Sequence, residues 1–295
     1  MGKNKQTSRR KLAQLASAIL CNAHFGGFAS GNIYKGSLKG LCAPGLNCYS
    51  CPGALASCPL GALQSALSEL RFKLPLYVAG VLVIFGVLFG RAVCAYLCPF
   101  GLVQELLHRI PSPKIKKNRL TRLLSLAKYA VLAVFVLAVP LYGAISSGFA
   151  LPAFCKYICP AGTLTGGIPL VLGSELLRSS AGALFGWKTA VLAAVVVCSV
   201  FMYRFFCRFL CPLGAIYSLF NRWAVFGISV DAAKCTKCTK CGRSCKMDAL
   251  LANDRECIRC GECRHLCPTG AIACAPPKAD KADKKGGNYN KWEVK

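Results

Sequence analysis

Apolar residues dominate four stretches of the chain, 12–28, 74–90, about 123–142 and about 183–203, separated by segments rich in basic, glycine and proline residues. An α-helix needs about 20 apolar residues to cross a ~30 Å hydrocarbon core, so each stretch predicts a spanning helix if lengthened slightly. Basic side chains such as Lys128 and Lys188 can snorkel at the ends. The first stretch is the weakest of the four. From Val225 the apolar pattern stops and a small soluble domain begins, ending near Cys274. Residues 276–295, with Pro-Pro, alternating Lys and Asp and Gly-Gly-Asn, read as a solvated disordered tail. The expected fold class is therefore mainly α. A four-helix transmembrane bundle (residues 1–224) is followed by a small α+β domain (225–275) and the tail (276–295).

Charge sets the orientation. Over 295 residues there are 37 Lys and Arg against 11 Asp and Glu, a formal net charge of +26. Much of this charge flanks the apolar runs, where it fixes topology and meets anionic lipid rather than nucleic acid. Residues 91–122 hold seven basic side chains and the N-terminal tail five, whereas residues 142–182 hold only Lys156 and Arg178. Both termini are accordingly expected on the cytoplasmic side of a prokaryotic inner membrane. That orientation places Cys94, Cys98, Cys207 and Cys211 at the inner face. Cys42, Cys48, Cys51, Cys58, Cys155 and Cys159 fall at the outer face. Ser8-Arg9-Arg10 reads as a basic flank of the first helix rather than an export signal.

Cysteine supplies the chemistry. Twenty-one cysteines stand beside only three histidines, so thiolate is the plentiful soft ligand. Two triplets with a fourth cysteine, Cys235-x2-Cys238-x2-Cys241-x3-Cys245 and Cys257-x2-Cys260-x2-Cys263-x3-Cys267-Pro268, have the bacterial ferredoxin spacing for two [4Fe–4S] clusters. Their fourth ligands cross over. Cys235, Cys238, Cys241 and Cys267 are expected on one cluster, and Cys257, Cys260, Cys263 and Cys245 on the other. Upstream, Arg91-x2-Cys94-x3-Cys98-Pro-x-Gly returns as Arg204-x2-Cys207-x3-Cys211-Pro-x-Gly. Each copy follows an apolar run, and the runs are preceded by Cys58-Pro-Leu-Gly and Cys159-Pro-Ala-Gly. These define tandem halves at about 58–115 and 159–224. Proline favours the first turn of a helix and keeps the preceding residue extended, so each Cys-Pro should aim a sulfur at free N–H groups. Pairing Cys94 and Cys98 with Cys207 and Cys211 gives one four-thiolate site at the inner face. At the outer face Cys155 and Cys159 are expected to join Cys51 and Cys58. Cys42 and Cys48 are then left as a disulfide, a second half-site or spare thiols. Glu105 and His108 read as a solvated interfacial helix face, with a quinone head group as the alternative contact.

At these residues the chain resembles the NapH/NosR-like membrane iron–sulfur family, from about residue 12 to Cys267. The Cys48-Tyr-Ser-Cys51-Pro block departs from the better-known nitrate-reductase members. The resemblance implies electron transfer between a cytoplasmic donor or quinol pool and an extracytoplasmic acceptor, through several [4Fe–4S] clusters, with donor and acceptor proteins, membrane lipid and a quinone as partners. Relatives of the FixG/CcoG type suggest a second class, a reductase that matures another enzyme's metal or thiol. A redox-sensing regulator is a third. Iron content separates the arrangements. Anaerobically purified protein should hold about sixteen irons if four cubane clusters form, whereas about eight would confine them to the tail. Cys207→Ser should lose one cluster while the tail signals persist.

Overall fold

The computed structural model describes residues 2–68, 76–115, 118–148, 151–231, 233–250, 252 and 254–274. The tail at 276–295 and the start of the second apolar stretch at residues 74 and 75 lie outside the described residues. The chain is mainly helical. Among the described residues two helical runs are long and apolar enough to cross a membrane, Arg119–Ser146 with 28 residues and Ala183–Phe201 with 19. At 1.5 Å per residue the second is about 28 Å long. The apolar helix Leu76–Phe89 has 14 residues, or about 21 Å, and is too short by itself.

The first stretch departs from expectation. Its helix is Gly2–Cys21, and the chain turns before a separate short helix at Gly26–Ser30. The polar residues among the apolar ones explain the change. Gln14 and Arg10 are buried, Gln14 donates to the Cys98 carbonyl at 2.7 Å, and Ser17 donates to the Leu97 carbonyl at 3.0 Å. The four expected spans thus become two long apolar helices, one short one and a basic helix docked on the thiol-bearing loops. Proline shapes the helices as well. A π-helical segment, Leu132–Ala138, directly precedes Val139-Pro140, and another, Thr163–Gly167, precedes Ile168-Pro169. A proline ring presses on the carbonyl four residues back and donates no N–H, and a wider turn relieves both problems.

The tandem halves meet through two fully buried arginines. Arg204 donates to the Cys94 carbonyl at 2.6 Å, and Arg91 reaches back to the Cys207 carbonyl at 3.3 Å. Arg204 also occupies the left-handed backbone region at φ 50, an uncommon conformation for a side-chain-bearing residue. Its Nε donates to Glu105 at 2.9 Å, and that carboxylate also takes a bidentate pair from Arg10 at 2.7 and 2.9 Å and the Tyr203 hydroxyl at 2.6 Å.

The C-terminal domain is held on the same scaffold. Strand Ile228–Val230 pairs antiparallel with Ile272–Cys274, with Ser229 opposite Ala273. Arg91 donates to Glu256 at 2.6 Å, and Lys128 pairs with the same carboxylate. Asn221, completely buried, donates to the carbonyls of Asp254 at 2.7 Å and Cys257 at 2.9 Å while accepting from the Arg91 N–H at 3.1 Å. Arg208 pairs with Asp248. Ala95 packs with Met247 and Ile258, which puts the domain directly behind the Cys94 loop.

Glu105 gives this packing a pH signature. Burial alone would raise its pKa, but the hydrogen bonds from Arg10 and the charge of Arg204 outweigh it and hold the carboxyl at about 2. A carboxylate depressed in this way stabilises the fold fully above its unfolded pKa, and the contribution disappears as pH falls toward 2. The lost term is on the order of 3 kcal/mol. Thermal unfolding of detergent-solubilised protein should therefore show a drop in stability between about pH 5 and 2. Glu105→Gln should be less stable at neutral pH and should lose that part of the acid dependence.

Candidate iron–sulfur sites

Each of the four Cys-Pro-x-Gly motifs begins a helix, as proline geometry favours. Cys98 and Cys211 are extended residues immediately before helices Pro99–Leu107 and Pro212–Phe220. Cys159 stands before Pro160–Gly162, and Cys58 before Pro59–Ser68. The sulfurs of Cys211 and Cys159 act as caps, accepting N–H groups from Gly214 and Gly162 at 3.4 Å each.

Cys94, Cys98, Cys207 and Cys211 lie near one another in the helical scaffold. All four are buried, and they sense one another electrostatically: Cys207 feels Cys98 and Cys94, and Cys211 feels Cys207, Cys94 and Cys98. Burial first, then the neighbouring thiols, pushes Cys207 up to about 12, while Arg204 and the Gln104 amide oppose the shift.

The second group differs from expectation in one member. Cys155 feels Cys58 and Cys48, and Cys159 feels Cys155, Cys48 and Cys58. A Cβ on Gly162 would sit 3.4 Å from the Cys48 sulfur and 3.8 Å from that of Cys159. Cys48, left open as a disulfide partner, half-site thiol or spare thiol, thus lies beside Cys159. The Cys51 sulfur instead faces the Asn22 side-chain oxygen at 3.8 Å. Aligning the four Cys-Pro-x-Gly copies reveals the reason. Seven residues before the Cys-Pro cysteine stand Arg91, Arg204, Pro152 and Cys51, and four before it stand Cys94, Cys207, Cys155 and Ala54. Cys51 thus occupies the arginine slot, and the missing first thiol of its copy is the fully buried Ala54. Cys42 is a free thiol beside Ser57, with its N–H on the Tyr77 hydroxyl at 3.3 Å; it forms no disulfide with Cys48.

The two groups are not separated by a membrane thickness. A Cβ on Gly45 would lie 2.9 Å from the Cys98 Cα, so the backbones touch there and only glycine fits. Three residues later comes Cys48, and three extended residues reach at most about 11 Å. Cys58, Cys94, Cys98, Cys159 and Cys211 share one buried core with Tyr217, Phe154 and Phe206. Phe154 and Phe206, which immediately precede Cys155 and Cys207, have ring centroids 6.5 Å apart. Tyr217 senses Cys94 and Cys58 together, while its hydroxyl donates to the Pro44 carbonyl at 2.9 Å. The placement of one site at each membrane face is corrected accordingly.

In the C-terminal domain, Cys263 feels Cys257, Cys260, Cys241 and Cys245, and Cys260 feels Cys257 and Cys245. Cys238 is exposed, and Cys235, Cys241 and Cys267 are half-buried. Glu105 is not a solvated face, because Arg10, Arg204 and Tyr203 hydrogen-bond to its carboxylate. His108 packs edge-on against Tyr203 at 5.4 Å.

The donors fit [4Fe–4S] groups. Among the described residues no group of three or more His, Cys, Asp or Glu could hold a single metal ion. In a cubane cluster each thiolate instead takes its own iron, so the sulfurs stand farther apart. Burial raises the pKa of Cys94, Cys207 and Cys211, and such thiols stay protonated unless a metal core supplies the positive charge that makes thiolates favourable there.

Comparison with known proteins agrees. A family described as a 4Fe-4S binding domain matches residues 74–118, 130–173 and 185–230, and a second 4Fe-4S binding domain family matches 253–273. The uncharacterized protein MJ0749 of Methanocaldococcus jannaschii is 30% identical over 65% of this chain and 68% of its own length. The ferredoxin-type protein NapH of Haemophilus influenzae is 25% identical over 88% and 85%. The regulatory protein NosR of Pseudomonas aeruginosa is 30% identical over 60% of this chain but only 24% of its own. No solved structure matches. Repeated thiol motifs, the ferredoxin-type C-terminal domain and these relatives together make the chain a member of the NapH/NosR-like family of ferredoxin-type iron–sulfur electron-transfer proteins.

Proposed function

We propose that this protein is a membrane-embedded relay that joins a ferredoxin-type domain to two iron–sulfur sites buried in its helical scaffold. Cys94, Cys98, Cys207 and Cys211 hold the first buried cluster. Cys48, Cys58, Cys155 and Cys159 hold the second. Cys235, Cys238, Cys241 and Cys267, with Cys257, Cys260, Cys263 and Cys245, hold two more in the tail domain. When bound, such clusters supply one-electron redox chemistry. The chain supplies ligands, burial that keeps water away from the sulfurs, and the ion pairs that seat the tail domain. The observation that carries this reading is the shared core. Gly45 on Cys98 and Cys48 beside Cys159 keep the buried sites within one short loop of each other. Glu256, held by Arg91 and Lys128, keeps the tail domain against the first site.

The two long apolar helices and the basic excess support anchoring in a prokaryotic inner membrane, with electrons exchanged between a cytoplasmic donor or quinol and an acceptor beyond it. A maturation reductase using a Cys42/Cys48 dithiol is less well supported, because Cys42 is taken up beside Ser57 while Cys48 turns into the second site.

Two measurements test the reading. Cys48→Ser should lose about four irons, one cluster's worth, whereas Cys51→Ser should keep full iron content; the reverse pattern would reject the ligand set. In anaerobic stopped-flow reduction by a reduced ferredoxin, tail-domain signals should change first and the buried signals second. Glu256→Gln should slow the second phase alone. Identical two-phase kinetics in the variant would sink the proposed route.

A further inference from the structure

Two glutamines outside the thiol motifs make the same set of contacts at the two buried sites. Gln64 stands six residues after Cys58, and Gln104 six after Cys98. Both are buried, at 0% and 1% exposure. The Gln104 side-chain oxygen accepts the Phe206 N–H at 2.9 Å, and its amide nitrogen donates to the Phe100 carbonyl at 3.4 Å and to the Cys207 sulfur at 3.0 Å. Gln64 repeats each contact. Its oxygen accepts the Phe154 N–H at 3.2 Å, and its nitrogen donates to the Leu60 carbonyl at 3.2 Å and to the Cys155 sulfur at 3.5 Å. The amide orientation is dictated by this surrounding. Turned over, the oxygen would face a carbonyl and a sulfur while the NH2 faced an N–H. Each glutamine therefore crosses from the first tandem half to the second, and grips the backbone just before a cysteine together with that cysteine's sulfur.

We propose that Gln64 and Gln104 are positioning residues that set the reduction potentials of the two buried sites separately, each by holding an N–H donor on one ligating sulfur. A donor to sulfur favours the more negative, reduced state of whatever that sulfur ligates, and so raises the potential. The inference rests on the ligand sets proposed above. Glutamine suits the role because it is neutral: it adds no charge to the apolar core, yet it donates and accepts in one rigid plane. The shorter contact at Cys207 predicts the larger effect for Gln104.

The test uses the full chain, purified anaerobically, with iron analysis and an EPR-monitored redox titration. Cys207→Ser and Cys155→Ser identify which component of the titration belongs to each site. Gln104→Met and Gln64→Met keep the side-chain length and remove the donor. Each should retain wild-type iron and move one component to more negative potential, Gln104→Met the Cys207 component and Gln64→Met the Cys155 component, with the former shift larger. Full iron with unmoved potentials would overturn the proposal, as would equal shifts of both components in one variant. Should one variant fail to accumulate, the other site gives an independent reading. Wild-type protein with only about eight irons would instead remove the two buried sites themselves, and the proposal with them.

Discussion

Burying a guanidinium costs several kcal/mol unless its hydrogen bonds and charge are matched, and this scaffold buries two of them between its repeated halves. Each reaches across to the carbonyl of the other half's first cysteine, so the two thiol loops cannot slide apart without stranding a charge. The balancing carboxylates come from elsewhere in the chain. Glu105 brings in the N-terminal helix through Arg10, and Glu256 brings in the tail domain together with Lys128. One electrostatic requirement thereby gathers four separate segments around the first thiol site. Tail domain, N-terminal helix and both repeat halves converge where the sulfurs do.

The thiols themselves depend on a simpler constraint. Proline keeps the cysteine before it extended and starts a helix after it, which leaves unpaired N–H groups facing the sulfur. Repeating that device four times gives four sulfurs at helix beginnings with no need for a long cofactor-specific loop. Phenylalanine and tyrosine then fill the space between the sites: Phe206 packs edge-on to Phe100 at 5.4 Å and lies near Phe154, and Tyr217 closes the gap toward Pro44. The sulfurs are consequently buried among aromatic rings, a setting that strengthens each N–H contact made there.

Much of this was legible in the residues alone. Helical runs at 119–146 and 183–201, the helix starts at the Cys-Pro-x-Gly motifs and a ferredoxin-type tail all follow from apolar length, proline stereochemistry and cysteine spacing. The rest required three dimensions. The first apolar stretch looked like a span because its few polar residues were outnumbered, but Arg10, Gln14 and Ser17 find buried partners and turn the helix into a docking element. Cys51 looked like the natural companion of Cys58, which occupies the repeat position. Counting back from Cys58 puts it in the arginine slot instead, and that register becomes clear only when all four copies are aligned. Inner and outer sites looked a bilayer apart because basic loops were used as a ruler. The contact between Gly45 and Cys98 joins residues 53 positions apart in sequence, and no local pattern announces it.

Ala54 stands where the other three repeats carry a thiol, and Cys48 lies beside Cys159 from an upstream loop. The same loop packs its Gly45 on the Cys98 backbone, so one short segment fixes the spacing between the two thiol groups.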